Sequence, residues 1–325
     1  MNAEKKPRRL GEILIDEGVI TEDQLNIALT EQKKDHKPLG QLLVNLGFAT
    51  ESIMRSALGE ALEQESVDLS RVVPDISGDV IGPKGLARLR KIKPESLPLV
   101  KGNPRIGACI ANPQKFIAIG LNYADHAAET GAKVPVEPII FMKATSCIQG
   151  PDDAVMLPKG SVKSDWEVEL GIVIGTRARY VTQKAALEHV AGYCTINDVS
   201  EREYQIERGP QWDKGKGCDT FGPIGPWLVT RDEIANVQKL SMWLDLNGQR
   251  MQTGNTKTMI FGVAKLVSYV SEFMTLMPGD IITTGTPPGV GLAIKPKPVF
   301  LKKGDVMSLK IESLGNQRQK VNQDA

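Results

Sequence analysis

The sequence is poor in the residues that build disulfide frameworks or zinc sites. Its four cysteines, Cys109, Cys147, Cys194 and Cys218, form no C-x-x-C pair. In a chain of 325 residues, cysteines so scattered argue against a disulfide scaffold. The three histidines, His36, His126 and His189, are too few and too dispersed for a zinc site of several His and Cys ligands. Oxygen ligands should therefore hold any bound metal, which points to Mg²⁺, Mn²⁺ or Ca²⁺. No apolar run reaches the roughly 18 residues of a membrane helix. The opening stretch MNAEKKPRRLGEILIDEG is basic and then amphipathic, without the apolar core and cleavage site of a secretory signal. A net charge of +1 gives no electrostatic reason to expect a nucleic-acid or membrane partner. These absences predict a cytoplasmic protein that engages neither.

An internal repeat is present instead. Leu10, Gly11, Leu14, Gly18, Thr21, Glu22, Ala28 and Leu29 recur 29 residues later as Leu39, Gly40, Leu43, Gly47, Thr50, Glu51, Ala57 and Leu58. Each unit reads as a short apolar helix, a turn and a second helix. Gly18 and Gly47 suit helix C-caps. Thr21 with Gln24 fits a capping box, and Thr50 fits an N-cap. Residues 1–66 are thus expected to form a helical repeat module. Residues 67–115, with six prolines, read as a connecting region with one short helix near Lys84–Lys91. From residue 116 to 325 short apolar runs bounded by Gly or Pro predict strands, among them Phe116–Leu121, Trp166–Ile174 and Val190–Ile196. Strands outnumber helices without regular alternation, so the fold class is α+β rather than a doubly wound sheet.

Glu167 and Glu169 stand two apart in a run otherwise apolar. Period-two alternation puts both carboxylates on one face, where they repel unless a cation offsets them. Asp198 ends another apolar run, AGYCTIND. Three carboxylates make a reasonable shell for Mg²⁺ or Mn²⁺ with room for water and substrate. Taken alone, E-x-E is more often a solvent-facing pair on a half-exposed sheet. His126 and Glu129 lie three apart in NYADHAAET, on one face of a helical turn. A carboxylate beside an imidazole fixes its tautomer and raises its basicity, as a general base requires; a surface pair on a polar helix is the plainer alternative. Ser200 with Glu203 reads as a capping box that starts a helix, on which Arg202 and Gln205 share a face. Arg202 there suits bidentate binding of a carboxylate, or is one charge on a solvated face. WDKGKGCDTFGPIGP and TTGTPPGVG are glycine-rich, with Lys214 and Lys216 as the cations of the first and Thr286 as a candidate anion-binding hydroxyl of the second. Neither has the G-K-S/T ending of a phosphate loop, which excludes a nucleoside-triphosphate reading.

Taken together, GLNYADHAAE, DWEVELGIVIG, NDVSERE, WDKGKGCDTFGPIGPW and TTGTPPGVG strongly resemble the fumarylacetoacetate hydrolase family, over about Leu69 to Leu314. The nearest resemblance is to bacterial members that cleave 2,4-diketo-3-deoxy sugar acids such as the L-rhamnonate derivative. The resemblance implies a mixed β-sandwich roll, usually a homodimer, that hydrolyses a carbon–carbon bond of a 2,4-dioxo acid to release pyruvate. It implies metal ligands at Glu167, Glu169 and Asp198, a water-activating dyad at His126 and Glu129, and an active-site lysine at Lys216. It places substrate contacts at Arg202, Gln205 and Thr286. Oxaloacetate decarboxylation or keto–enol tautomerisation is the alternative chemistry. The N-terminal repeat resembles the cyclic di-GMP-binding domain of type II secretion and type IV pilus ATPases. That implies nucleotide contacts at Arg9 and Gln32, although the second unit carries Pro38 and Ala61 where the pattern has Arg and Gln.

Overall fold

The structure, a computed structural model, describes residues 10–16, 19–35, 39–49, 66–102, 104–131 and 133–324. The expectations for Arg9, Gly18, Pro38, Thr50 and Ala61 lie outside these residues. The chain divides into two compact units, residues 1–68 with 98–100, and residues 69–97 with 101–325.

In the first unit, helices span Leu10–Asp16, Glu22–Asp35 and Leu39–Asn45. Their apolar faces meet at Leu14, Ile20, Ala28, Leu43 and Ala49. Thr21 and Gln24 form the reciprocal capping box: the Thr21 N–H donates to Gln24 Oε1 at 2.8 Å, and the Gln24 N–H to Thr21 Oγ1 at 3.2 Å. Gly47 takes φ +72° just after the third helix, and the Phe48 N–H returns to the Leu43 carbonyl.

The second unit begins with two short helices, Gly78–Ile81 and Pro83–Leu89. One was expected, near Lys84–Lys91. Gly82, with extended backbone, breaks the run, and Pro83 opens the next helix where its missing N–H costs nothing. Fourteen strands follow among the described residues: β1 Phe116–Gly120, β2 Ile139–Lys143, β3 Ile148–Gln149, β4 Val155–Leu157, β5 Ser164–Asp165, β6 Val168–Ile174, β7 Val190–Asn197, β8 Ser200–Glu201, β9 Gly222–Thr230, β10 Ser241–Leu246, β11 Gln249–Asn255, β12 Ile281–Thr283, β13 Val306–Ile311 and β14 Asn316–Gln323. The expected strand from Trp166 to Ile174 is therefore broken, with Trp166 and Glu167 between β5 and β6.

Seven strands form a mixed sheet in the order β2-β1-β12-β6-β7-β9-β3, and five form a second sheet, β11-β10-β13-β14-β4. β1 runs parallel to β12, whereas β6 is antiparallel to β12 and β7 to β6. The edge strands β2 and β3 are consecutive in the chain, with only residues 144–147 between them, so the sheet curls round on itself. β13 lies against β6 and β7, which closes the core between the sheets. Every residue of β6, VELGIVI, is buried, as a strand covered on both faces requires.

This topology decides where the chemistry gathers. The C-terminal ends of β1, β12 and β7 and the N-terminal end of β6 lie at one rim. From it emerge the Ala124–Thr130 helix after β1, the TTGTPPGVG loop after β12, Glu167 and Glu169 at the start of β6, and Asp198 after β7.

Candidate active site

Glu167 precedes β6 by one residue, yet the ladder continues: the Asp198 N–H donates to the Glu167 carbonyl at 2.9 Å. The same-face placement of the two glutamates thus survives the strand break. Ligand oxygens of Glu167, Glu169 and Asp198 lie within 4.8 Å of one another, and all three residues are buried.

Cations face two of them. Lys216 Nζ lies 2.8 Å from Glu167 Oε2 and 2.7 Å from Asp198 Oδ2. Arg202 Nη2 reaches Glu167 Oε1 at 2.7 Å. Lys143 Nζ stands 2.6 Å from Asp198 Oδ1 at an angle that makes no hydrogen bond, so this buried oxygen is left without a donor. Glu169 makes no ion pair among the described residues. Its Oε2 accepts from the Thr283 hydroxyl and from the Gly285 N–H.

The titration behaviour follows from these neighbours. Burial, then the charges of Asp198 and Glu167, hold the Glu169 carboxyl well above the usual range. Burial would also raise Glu167, but Lys216 and Arg202 outweigh it and hold that carboxyl far below the usual range. Burial would lower Lys216, yet Asp198 and Glu167 prevail and keep it protonated.

A divalent cation fits this donor set. The linked buried groups are four carboxylates, Asp165, Glu167, Glu169 and Asp198, against three cations, Lys143, Arg202 and Lys216. With Glu169 ionised, one negative charge would be left over at the carboxyl that lacks a partner, which is why that group holds its proton. A divalent ion together with one substrate carboxylate would bring the set to neutrality.

The dyad residues stand beside this cluster. His126 Nδ1 lies 3.1 Å from Glu129 Oε2, and both Glu129 oxygens accept from the Gly289 N–H, at 3.0 and 3.2 Å. Gly289 has φ +105°, and a Cβ there would fall 1.9 Å from the Met251 carbonyl oxygen, so only glycine fits. A cavity of about 220 Å³ is lined by His126, Glu167, Glu169, Arg202, Gln205 and Lys216, with Thr286 beside them.

Three readings from the sequence need correction or detail. Ser200 and Glu203 do not form a capping box. Ser200 lies in β8 and its hydroxyl donates to the Asp198 carbonyl, while Glu201 Oε2 accepts the Tyr204 N–H at 2.7 Å. The following turn, Glu203–Glu207, is a π-helix. Arg202 and Gln205 do share a side, joined Nη1 to Oε1 at 3.0 Å. The Thr286 hydroxyl donates to the Val168 carbonyl and accepts from Gln252 Nε2, so its proton is committed within the protein. Lys214 instead donates to the Arg208 carbonyl, away from the cluster.

Two participants were not singled out in the sequence. Lys143 is fully buried at the end of β2 and crosses the interior of the curled sheet to Asp198. Asp165 is fully buried and accepts from five donors: the N–H groups of Trp166, Gly291 and Leu292, and Arg202 Nε and Nη2. A charged residue adjoining an apolar strand was the one available signal for each.

The family profile described as "Fumarylacetoacetate (FAA) hydrolase C-terminal" matches residues 115–322. A Burkholderia cenocepacia (strain HI2424) protein is 64% identical over 253 residues, 78% of this chain and 90% of its own length. It carries the provisional name of a hydrolase, without a substrate. Among solved structures, the fumarylacetoacetate hydrolase of psychrophilic Exiguobacterium antarcticum is 36% identical with a TM-score of 0.70, over 79% of this chain and 92% of that one. The 5-carboxymethyl-2-hydroxymuconate delta-isomerase of Mycobacterium smegmatis is 36% identical with a TM-score of 0.60, over 70% and 87%. The chain belongs to the fumarylacetoacetate hydrolase family and is an enzyme of its hydrolase or isomerase type. Among the described residues no helix is long and apolar enough to cross a membrane.

Proposed function

We propose that the protein hydrolyses a carbon–carbon bond in a 2,4-dioxo acid and releases pyruvate. The observation that carries this reading is one cavity lined both by Glu167 and Glu169 of the three-carboxylate cluster and by His126, a buried imidazole paired with the more exposed Glu129. Glu167, Glu169 and Asp198 would hold a divalent cation, Mg²⁺ or Mn²⁺, which when bound supplies Lewis-acid polarisation of the 2-oxo acid end. Glu129 accepts from His126 Nδ1–H, which leaves Nε2 as the base. His126 takes a proton from water, and the hydroxide formed attacks the C4 carbonyl. The C3–C4 bond then breaks, its electron pair passes to the pyruvate fragment, and protonation at C3 completes pyruvate. Lys216, kept charged by Asp198 and Glu167, is positioned to offset negative charge as it develops. Arg202 and Gln205 orient the acid end.

The names of related isomerases supply a second reading, tautomerisation, which needs the cation and the proton carriers but no attacking water. A turnover screen separates the two: acylpyruvates with Mg²⁺ or Mn²⁺ should yield pyruvate, and exhaustive chelation should stop it. Keto–enol exchange without pyruvate release would establish the second reading, and turnover indifferent to chelation would overturn the metal site.

A further inference from the structure

We infer that the protein prefers monocarboxylic acylpyruvates with an apolar acyl group, aliphatic or aromatic, over hydroxylated sugar acids and over dicarboxylates. This rests on the hydrolase reading above and adds the substrate class. The charged groups of the cavity are largely committed to one another. Arg202 uses Nε and Nη2 on Asp165 and Glu167 and Nη1 on Gln205. Lys216 is spent on Glu167 and Asp198, and Thr286 on Val168. The rest of the lining is apolar: Leu121, Phe141, Ile206, Trp212, Val290 and Leu292.

Phe141 and Trp212 form an edge-to-face pair with ring centroids 5.3 Å apart. Trp212 is seated against Gly120, where a Cβ would fall 2.6 Å from its ring. Asp213 Oδ1 accepts the Met142 N–H at 3.0 Å and ties the Trp212 segment to β2. The apolar wall is therefore anchored to the sheet. Among the side chains of this wall only the Trp212 indole N–H can meet a hydroxyl, so the other hydroxyls of a sugar-acid chain laid along it would lose water without gaining partners. A second carboxylate would meet no uncommitted cation, because Arg202 and Lys216 are the lysine and arginine of the lining and both serve the carboxylate cluster. An alkyl or aryl group gains from burial instead.

The experiment uses the full chain with Mn²⁺. kcat/KM is measured for acetyl-, butanoyl-, hexanoyl- and benzoylpyruvate, for an acylpyruvate ending in a second carboxylate, and for a 2,4-diketo-3-deoxy sugar acid. kcat/KM should rise by about fourfold per methylene until the wall is covered. Ile206→Ser, at a half-exposed rim position, should lower the hexanoyl-to-acetyl ratio by about tenfold, and Trp212→Phe should lower the benzoyl-to-acetyl ratio. A higher kcat/KM for the sugar acid or the dicarboxylate than for the apolar acid of equal length overturns the inference. Calorimetry supplies an arm independent of turnover, with 2-oxobutanoate, 2-oxooctanoate and 2-oxoglutarate titrated into the Mn²⁺-loaded protein. Tightest binding of 2-oxooctanoate supports the apolar preference even if no acid is cleaved, in which case the hydrolase reading alone falls. Tightest binding of 2-oxoglutarate overturns the preference even if acylpyruvates are cleaved.

Discussion

Replacing Glu169 by Gln tests whether the acidic cluster is a cation site, without asking for activity. In the protein without metal, Glu169 is a buried carboxyl group whose ionisation is opposed by burial and by two neighbouring carboxylates, and it has no ion pair among the described residues. The amide oxygen of Gln can still accept from Thr283 and Gly285, so the metal-free variant should be at least as stable as the wild type. The wild type should gain about 2.7 kcal/mol when the ion is present at roughly a hundred times its dissociation constant. For a unit of this size that is a rise in Tm of about 5–11 °C. Loss of one charged ligand removes roughly 1.5–3 kcal/mol of binding, which leaves at most about 1.3 kcal/mol of stabilisation and a shift of no more than about 5 °C. Thermal unfolding of both proteins in chelator, and then in Mg²⁺ or Mn²⁺, measures the two shifts. Equal shifts in variant and wild type would show that the ion binds elsewhere. No shift in the wild type with either ion would refute the site.

Three further outcomes are expected. His126→Ala should lower acylpyruvate cleavage by roughly 10²–10⁴-fold and oxaloacetate decarboxylation much less, because only the first needs an activated water; equal losses in the two assays would reassign His126 to positioning or to proton return. Gly289→Ala should destabilise the protein by about 1–3 kcal/mol in denaturant titration, since φ +105° and the Met251 carbonyl leave no place for a methyl group, and should also loosen the Glu129 contact. Burial pushes the Cys147 thiol up to about 11 from 9.0, against the opposing charge of Lys143. The thiol's contribution to stability is then complete below about pH 9 and lost as the pH rises towards 11, so the stability difference between wild type and Cys147→Ala should shrink by roughly 3 kcal/mol across that window.

What could be read in the sequence was whatever is chemically out of place locally. Glu167 and Glu169 interrupt an apolar run, and Asp198 terminates another, so their special status shows without any knowledge of the fold. The His126–Glu129 pair and the Thr21–Gln24 capping box are contacts between residues three apart, within the range where periodicity carries information. Lys143 and Asp165 are different. Lys143 meets Asp198 only because the sheet curls until β2 faces the end of β7, and Asp165 gathers donors from residues 37 and 126 positions away. The capping error at Ser200 has the same origin. Glu201, pinned by the Ser161 hydroxyl and the Lys163 N–H from another segment, accepts the Tyr204 N–H, so the capping contact falls one residue later than expected.

The TTGTPPGVG loop binds anions of another kind than a phosphate loop does. It lacks the lysine and terminal Ser/Thr of a phosphate loop. The loop is nevertheless a row of anion-binding backbone donors, and its anions are the protein's own carboxylates. Gly285 donates to Glu169, Gly289 to Glu129, and Gly291 and Leu292 to Asp165. Pro287 and Pro288, which have no N–H, fall between the donors and stiffen the span from one carboxylate to the next. One short segment thereby sets the positions of the cation cluster, the dyad and the arginine anchor relative to one another. A shift of this loop by a single residue would misplace all three together, which is a physical reason for glycines at positions whose side chains never touch a substrate.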